Sequence, residues 1–408
     1  MAAYAAVFSL SSFLEDRDTD PEITMEMTTK LYENEQNLVS FRATVLSCAA
    51  CEGGFHVVLD RTAFFPCEGG QGADHGTLGG ANVLDAAIEG GVVTHLVDAP
   101  LPVGATVLGE VDPVRRRRHM QVHTGEHILS GTLHAMYGAT NVGFHLGETE
   151  VTLDIDLALS EAELAAAEEA ANRAVFEDRA VRIHYPTPAE LPSLSYRAKL
   201  DLTEGVRLVE IEGVDLCACC APHVERTGEV GLIKIVSSMH YKGGTRLHIA
   251  VGPDALADYR QKQAGVHAVS VALSVPEEEI AAGVARLSEA LAEERRTVAA
   301  LRAALRAERL AAATAKGGDL CLFYPDLDAV GLRQYAEEGA AMTVGFVLVA
   351  SPADGGYRYA LAKKGGGVRV LSASLHASLG GRGGGRDELC QGSVPATREA
   401  ILAELGLS

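Results

Sequence analysis

Hydrophobic and polar positions change rhythm several times along the chain, and each change predicts a different element. Over residues 28–111 apolar and polar positions alternate in short runs, FRATVL, GFHVVLD, GGVVTHLVD and ATVLGEVD, separated by Gly- and Pro-rich turns. A period of two over short runs marks half-buried strands, and a series of them predicts an antiparallel β barrel or sandwich. From Arg115 the rhythm becomes helical, with Met120, His123, His127 and Leu129 in one window that runs to about Tyr137. Residues 144–156 alternate again like a strand. Ser160 and Glu163 form a capping box ahead of an Ala/Glu-rich helix that runs to about Arg179. Residues 206–212, 230–235 and 246–251 read as further strands, so helices are expected on an antiparallel sheet.

Beyond residue 273 a second capping box, Ser274 with Glu277 and Pro276 in the first turn, predicts a long helix to about Lys316. Ile280, Leu287 and Leu301 take heptad a positions and Val284, Leu291, Val298 and Leu305 take d, with Glu294 and Glu308 interrupting the a series. That imperfect seam suits a helical hairpin or a weak dimerising coiled coil, and an interdomain helical arm is expected. From Gly317 a compact α/β module is expected, with CLFYPDL, MTVGFVLVAS, YRYALAKK and VRVLSASL as strands. The stretch GGRGGGRDELCQGS that follows reads as a loop, either a phosphate cradle or a flexible linker; it lacks a P-loop ending and the order of a dinucleotide fingerprint. Residues 1–25 have no period and are expected to be a disordered extension. The fold class is therefore α+β: a β barrel over 26–114, an α+β domain over 115–255, a helical arm over 256–316 and an α/β domain over 317–408.

The formal net charge of −20 opposes general affinity for nucleic acid, but the basic run Arg115 to Arg118 leaves room for local recognition. Eight cysteines in 408 residues, three of them crowded at 217, 219 and 220, do not make a disulfide framework and point to a reducing compartment. No apolar run is long enough to span a bilayer and the start lacks a signal peptide's basic region, so a cytoplasmic protein is expected, without a membrane partner.

The chemistry sits in two short stretches. His123 and His127 stand four apart in a helical window and therefore share a face. Cys219 and His223 repeat that spacing in DLCACCAPHV. Two nitrogens from one element with a sulfur and a nitrogen from another suit tetrahedral zinc. Cys217 and Cys220 flank the chosen sulfur and are rival ligands, whereas the Cys48/Cys51 pair has no partner pair and reads as strand packing. HTGEH also matches the H-x-x-E-H pattern of inverted zinc metallopeptidases, in which Glu126 is the general base and a distant carboxylate the third ligand. Otherwise Glu126 reads as an exposed helix glutamate. Residues 60–76, DRTAFFPCEGGQGADHG, are either a plain hairpin loop or a glycine loop whose backbone approaches a ligand.

Taken in order, TAFFPCEGGQGADHG, RxxxMxxHTxxH, CxxxH and KGGTR resemble the editing domain of alanyl-tRNA synthetase and its free-standing AlaX-type trans-editing relatives. Thr62, Phe64, Pro66, Gly69, Gly70, Gln71, Asp74 and Gly76 match the family's first loop; Phe65 and Cys67 stand where it has tyrosine and glutamate. The family's zinc set falls on His123, His127, Cys219 and His223, with Cys220, Ala221 and Pro222 in place of Gly-Gly-Thr. The Gly-rich end is similar to the DHH-associated domain that closes alanyl-tRNA synthetases and is implicated in tRNA binding. With no aminoacylation domain ahead of the barrel, the resemblance implies a long-form trans-editing protein. It implies zinc-dependent deacylation of tRNA(Ala) mischarged with serine or glycine. Gln71, Thr62 and Glu126 are then candidate catalytic residues, with Thr62 on the serine hydroxyl and Glu126 a candidate base. Gly69, Gly70, Arg116, Lys242 and Arg246 are candidate substrate contacts. A homodimer through the arm or the C-terminal domain, and a tRNA-binding factor without catalysis, are further readings.

Overall fold

The structure, a computed structural model, describes residues 27–198, 205–315 and 317–407. The extension expected over residues 1–25 lies outside them. The chain is mixed α+β and falls into two compact units, one ending at Ala268 and the other starting at Val269. Among the described residues no helix is long and apolar enough to cross a membrane.

In the first unit a short strand, β1 (Thr29–Lys30), pairs in parallel with β4 (Arg61–Thr62). Six strands close a barrel in the order β2 (Ser40–Cys51), β3 (Gly54–Leu59), β7 (Val92–Val97), β6 (Ala81–Glu89), β5 (Gly76–Leu78) and β8 (Thr106–Val111). Alternate residues turn inward, so Phe41, Val45, Val57, Phe64, Leu78 and Val97 fill its core. Cys48 packs against that core and accepts a hydrogen bond from the Leu101 amide at 3.4 Å.

The helix that follows, α1 (Pro113–Tyr137), starts where Asp112 accepts from the Val114 and Arg115 amides and ends at Gly138 in the left-handed region. It packs with α2 (Glu161–Phe176), whose Ser160/Glu163 capping box is present, on a four-stranded antiparallel sheet. The order there is β14 (Ile233–Tyr241), β15 (Gly244–Val251), β10 (Val151–Ile155) and β9 (Asn141–Leu146). Met120, Ile128, Leu129, Leu153 and Leu247 belong to the shared core. The single strand expected over residues 144–156 is instead the β9–β10 hairpin, broken at Gly147. A small antiparallel sheet of β11 (Val181–His184), β12 (Leu208–Ile211) and β13 (Asp215–Ala218) delivers the cysteine segment, and α3 (Pro253–Leu273) follows β15.

In the second unit, α4 (Ile280–Thr314) starts later than its expected cap. Ser274 lies just past α3 at φ +54°, and Glu279 precedes α4 without a side-chain capping bond. Leu287, Leu291, Leu301 and Leu305 of the heptad seam are exposed. A five-stranded sheet runs β16 (Leu320–Phe323), β17 (Val347–Ala353), β18 (Gly356–Ala362), β20 (Leu389–Val394) and β19 (Arg382–Arg386). Helices α5 (Ala329–Met342), α6 (Val368–Leu379) and α7 (Arg398–Glu404) pack with it. Two expectations fail here. VRVLSASL is helix α6, not a strand, because Val368, Ser372 and Leu375 bury one helical face. The Gly-rich stretch is not a loop: its RGGGR segment is strand β19, held by β20, whose Cys390 and Val394 face the core.

Candidate metal centre

Helix α1 presents His123 and His127 one turn apart, with ring centroids 5.4 Å from each other. The segment after β13 brings Cys219 and His223 to the same point. One ligand atom from each of the four lies within 4.8 Å of all the others. The Cys219 Sγ is 3.5 Å from His123 Nε2 and 3.3 Å from His223 Nε2. A sulfur and a nitrogen on one tetrahedral ion, at bond lengths of about 2.3 and 2.0 Å, stand roughly 3.5 Å apart. Each imidazole is also held from behind. His123 Nδ1 meets Gln71 Oε1 at 2.9 Å, His127 Nδ1 meets Asp215 Oδ2 at 3.1 Å, and His223 Nδ1 meets Thr124 Oγ1 at 3.0 Å. A proton fixed on Nδ1 leaves the Nε2 lone pair for an ion, the arrangement that orients metal-binding histidines. These residues fit a divalent metal ion by donor type, spacing and tautomer.

Electrostatics agree at Cys219 and His223. Burial alone raises the Cys219 thiol, but the neighbouring His123 and His223 imidazoles and hydrogen bonds from His123 and His127 hold it well below its usual range, toward the thiolate a metal requires. Burial pushes His223 down to about 3, so its imidazole is neutral. Burial also disfavours charge on His127, yet Asp215, Cys217 and Cys219 raise it well above the ordinary value. Asp215 is buried, which by itself would raise it; Arg197 and His127 hold it below the carboxylate range.

Cys219 is the sulfur in the four-atom set. Cys217 lies on the Asp215 side of His127, and Cys220 packs with Tyr32, Phe65 and Ala221 while burial raises its thiol. The close seat of Asp215 depends on Gly131 of α1, where a Cβ would come within 2.8 Å of the Asp215 Cβ.

The glycine loop borders this cluster. Gly70 sits at φ +83°, and a Cβ there would come 2.2 Å from the Phe144 carbonyl oxygen. Its own carbonyl accepts from the Leu146 amide at 2.7 Å, which fastens the loop to β9. Gly69 and Gly70 are exposed, whereas Gln71 is 1% exposed and its Nε2 has no partner among the described residues.

Several expected residues stand elsewhere. Thr62 is fully buried in the barrel, where its hydroxyl pairs with His95 Nε2 at 2.9 Å and accepts from the Phe64 amide at 3.1 Å. Its hydroxyl is thus already engaged inside the protein, away from the four-atom set. Arg116 is 2% exposed and reaches no ligand: it pairs with Asp74 and donates to the Ala63 and Gln36 carbonyls. The basic run is neutralised throughout, since Arg115, Arg117 and Arg118 pair with Glu148, Glu229 and Asp254. Arg246 is locked to Asp154 at 2.6 Å and lies 3.8 Å from the Tyr241 ring centre, and Lys242 is exposed at the tip of the β14–β15 hairpin. Glu126 is not an exposed helix glutamate; it is 3% exposed beside His127. The metallopeptidase pattern asks for a distant carboxylate as third ligand, but the further donors here are Cys219 and His223, and Asp215 faces the outer nitrogen of His127.

Sequence reasoning missed the residues that hold the ligands. Arg197 grips Asp215 through two hydrogen bonds of 2.7 and 2.6 Å and reaches the Ser130 hydroxyl at 2.8 Å. Arg207 donates to the Cys219 and Ala221 carbonyls at 2.7 and 3.1 Å. Gln36 accepts from the His223 amide at 2.5 Å. None carries a spacing signal that would have singled it out.

Among known proteins, residues 206–248 match the family described as the threonyl and alanyl tRNA synthetase second additional domain. The alanine–tRNA ligase of Methanopyrus kandleri is 32% identical over 387 residues, covering 88% of this chain and 42% of the ligase. That of Pyrobaculum neutrophilum is 32% identical over 409 residues, covering 93% and 44%. The chain thus spans less than half the length of these ligases. The alanyl-tRNA editing protein Aarsd1 of Mus musculus is 29% identical over 386 residues, covering 89% of this chain and 93% of that protein. The C-Ala domain of Aquifex aeolicus alanyl-tRNA synthetase aligns with 21% of the chain at 19% identity, with a TM-score of 0.20 that carries no weight for the fold. The chain belongs to the editing-domain family derived from alanyl-tRNA synthetase.

Proposed function

We propose that the chain is an aminoacyl-tRNA deacylase that clears mischarged tRNA(Ala), chiefly the seryl and also the glycyl ester, in the cytoplasm. The observation that supports this most is the convergence of His123, His127, Cys219 and His223 beside an exposed glycine loop, each imidazole anchored from behind. We assign zinc to this set. Zinc bound there supplies Lewis-acid chemistry, polarising an ester carbonyl or making water more acidic. The chain's own groups do the rest. Gly69 and Gly70 let the acylated 3′ end approach the backbone closely. The uncommitted Gln71 amide donates to an ester or ribose oxygen and holds the carbonyl in line for water. The water oxygen bonds to the acyl carbon, the bond from that carbon to the ribose oxygen breaks, and a proton from the water ends on the ribose oxygen, which leaves as the hydroxyl. Lys242 and Arg246 are assigned to the RNA end.

The division into barrel (26–114), editing domain (115–255), arm (256–316) and C-terminal domain (317–408) is proposed with this function, the last to select tRNA and the exposed arm seam to support a homodimer. The test is hydrolysis of Ser-tRNA(Ala) and Ala-tRNA(Ala), with and without chelator. Chelator-sensitive loss of serine with alanine spared supports the reading. Binding without hydrolysis would make the chain a tRNA-binding factor, and cleavage of peptides but not esters a metallopeptidase.

A further inference from the structure

Glu126 lies between the two ligand histidines of α1 in sequence, yet it is no part of the four-atom set. One of its oxygens, Oε1, accepts from Asn141 Nδ2 at 2.7 Å. The other, Oε2, is 3.9 Å from His127 Nε2, the nitrogen turned to the cluster, beyond hydrogen-bond reach. Arg197, whose charge reaches Glu126, directs its hydrogen bonds to Asp215 and Ser130 instead. A carboxylate can accept about four hydrogen bonds, and burying one with a single amide donor is costly unless a cation comes to it. Its partner Asn141 is half-buried on the edge strand β9, next to exposed Val142. On the glycine-loop side, the buried Gln71 Nε2 is a donor without a partner among the described residues. Among the described residues the cluster is therefore flanked by one carboxylate oxygen without a hydrogen bond and one donor without a partner.

An amino-acid ester carries the complementary pair. Its ester oxygens accept, and its free α-ammonium donates and is positively charged. Resting on the deacylase reading, we infer that Glu126 binds the α-ammonium group of the aminoacyl ester, with Asn141 as the residue that positions its carboxylate. The site is thereby specific for amino-acid esters with an unblocked amine and rejects N-acylated ones. A carboxylate that merely balanced the charge of a metal ion would treat both kinds of ester alike.

The test uses the full zinc-loaded chain and a probe that cannot be hydrolysed: adenosine bearing serine through a 3′-amide, with the serine amine free or acetylated. The free-amine probe is expected to bind about tenfold to a hundredfold more tightly, the range of a charge-assisted hydrogen bond in a dry site. Glu126→Gln keeps the shape and an acceptor for Asn141. It should bring the two probes within about threefold of each other by weakening only the free-amine probe, with zinc content unchanged. Asn141→Ala should give an intermediate ratio, and it decides the matter if Glu126→Gln does not fold. Equal binding of both probes by the unaltered chain overturns the inference, and so does equal weakening of both by Glu126→Gln. Because the probe needs no turnover, amine-dependent binding by a protein that leaves Ser-tRNA intact would sink the deacylase reading while supporting the role of Glu126.

Discussion

Replacing Asp215 with asparagine should weaken metal binding more than any other change outside the ligands. Asp215 is 2% exposed on its side chain and serves two donors at once, His127 Nδ1 and the Arg197 guanidinium. Arg197 and His127 keep it ionised at neutral pH by holding it below the usual carboxylate range. Asparagine removes the charge that makes His127 a stronger ligand. It also turns an amide NH2 toward either the imidazole N–H or Arg197, so one donor faces another. Loss of such an outer partner typically lowers metal affinity about tenfold to a hundredfold, roughly 1.4 to 2.7 kcal/mol. The upper end is expected here because a charge is lost and the Arg197 side chain, only 17% exposed, is left without its carboxylate. Thr124→Ala, which takes a neutral hydroxyl from behind His223, should cost about tenfold by the same reasoning. The assay is competition for zinc against a chromophoric chelator, with deacylation measured again in excess zinc, where Asp215→Asn should recover most of its rate. If Asp215→Asn binds zinc within about threefold of the unaltered chain, or if Thr124→Ala proves the more damaging, the reasoning from charge is wrong.

Other expectations are more local. Arg116→Ala leaves the fully buried Asp74 without its cation and should lower stability by about 3 kcal/mol or more, read by denaturant unfolding, with tRNA affinity of the folded protein unchanged; unchanged stability would restore Arg116 as a candidate surface contact. His95, pushed down to about 4 by burial, stays neutral in the barrel while an unfolded imidazole protonates near 6.5, so its share of stability is complete above that pH and is lost as the pH falls toward 4. That amounts to about 2 kcal/mol at pH 5, and His95→Gln should flatten the pH dependence between pH 7 and 5; an equally steep profile argues against it. Gly70→Ala must move the loop away from Phe144 and should lower deacylation about a hundredfold with zinc retained, and a fully active variant would show that the loop does not seat the substrate.

The chemistry carried by spacing is legible in the sequence. His123 and His127 can be read because a helix puts residues four apart on one face, and the barrel strands because alternation over short runs is the mark of a half-buried pleat. Glu126 escapes such reading for a reason built into α1. From His119 to Leu133 every residue of α1 except Gln121 is buried, so a polar residue on this helix points to the interior rather than to water. A rule that sends charge to the solvent face fails on such a helix. Helix α6 reads as a strand because Val368 and Val370 alternate around Arg369 over a run too short for the helical period to assert itself. Strand β19 is unreadable because RGGGR has no hydropathy to alternate; its pairing is dictated by β20.

The two ligand pairs are held by different physics. The pair on α1 keeps its spacing from the helix itself, capped by Asp112 and packed on all sides. Cys219 and His223 lie in irregular chain between β13 and a short 3-10 turn, and irregular chain keeps no spacing of its own. Its register comes from directional hydrogen bonds. Arg207 takes the Cys219 and Ala221 carbonyls, and Gln36, far away in sequence, accepts from the His223 amide. The Gln36 carbonyl in turn accepts from Arg116 at 3.0 Å, and Arg116 is fixed by Asp74 and the Ala63 carbonyl beside the glycine loop. Apolar packing tolerates small slides, but a hydrogen bond fixes direction as well as distance. The barrel is thus more than a neighbour of the metal centre. Through Gln36 and Arg116 it sets the Cys219/His223 pair and the glycine loop against the same helix, which is why Arg116 is committed to the interior.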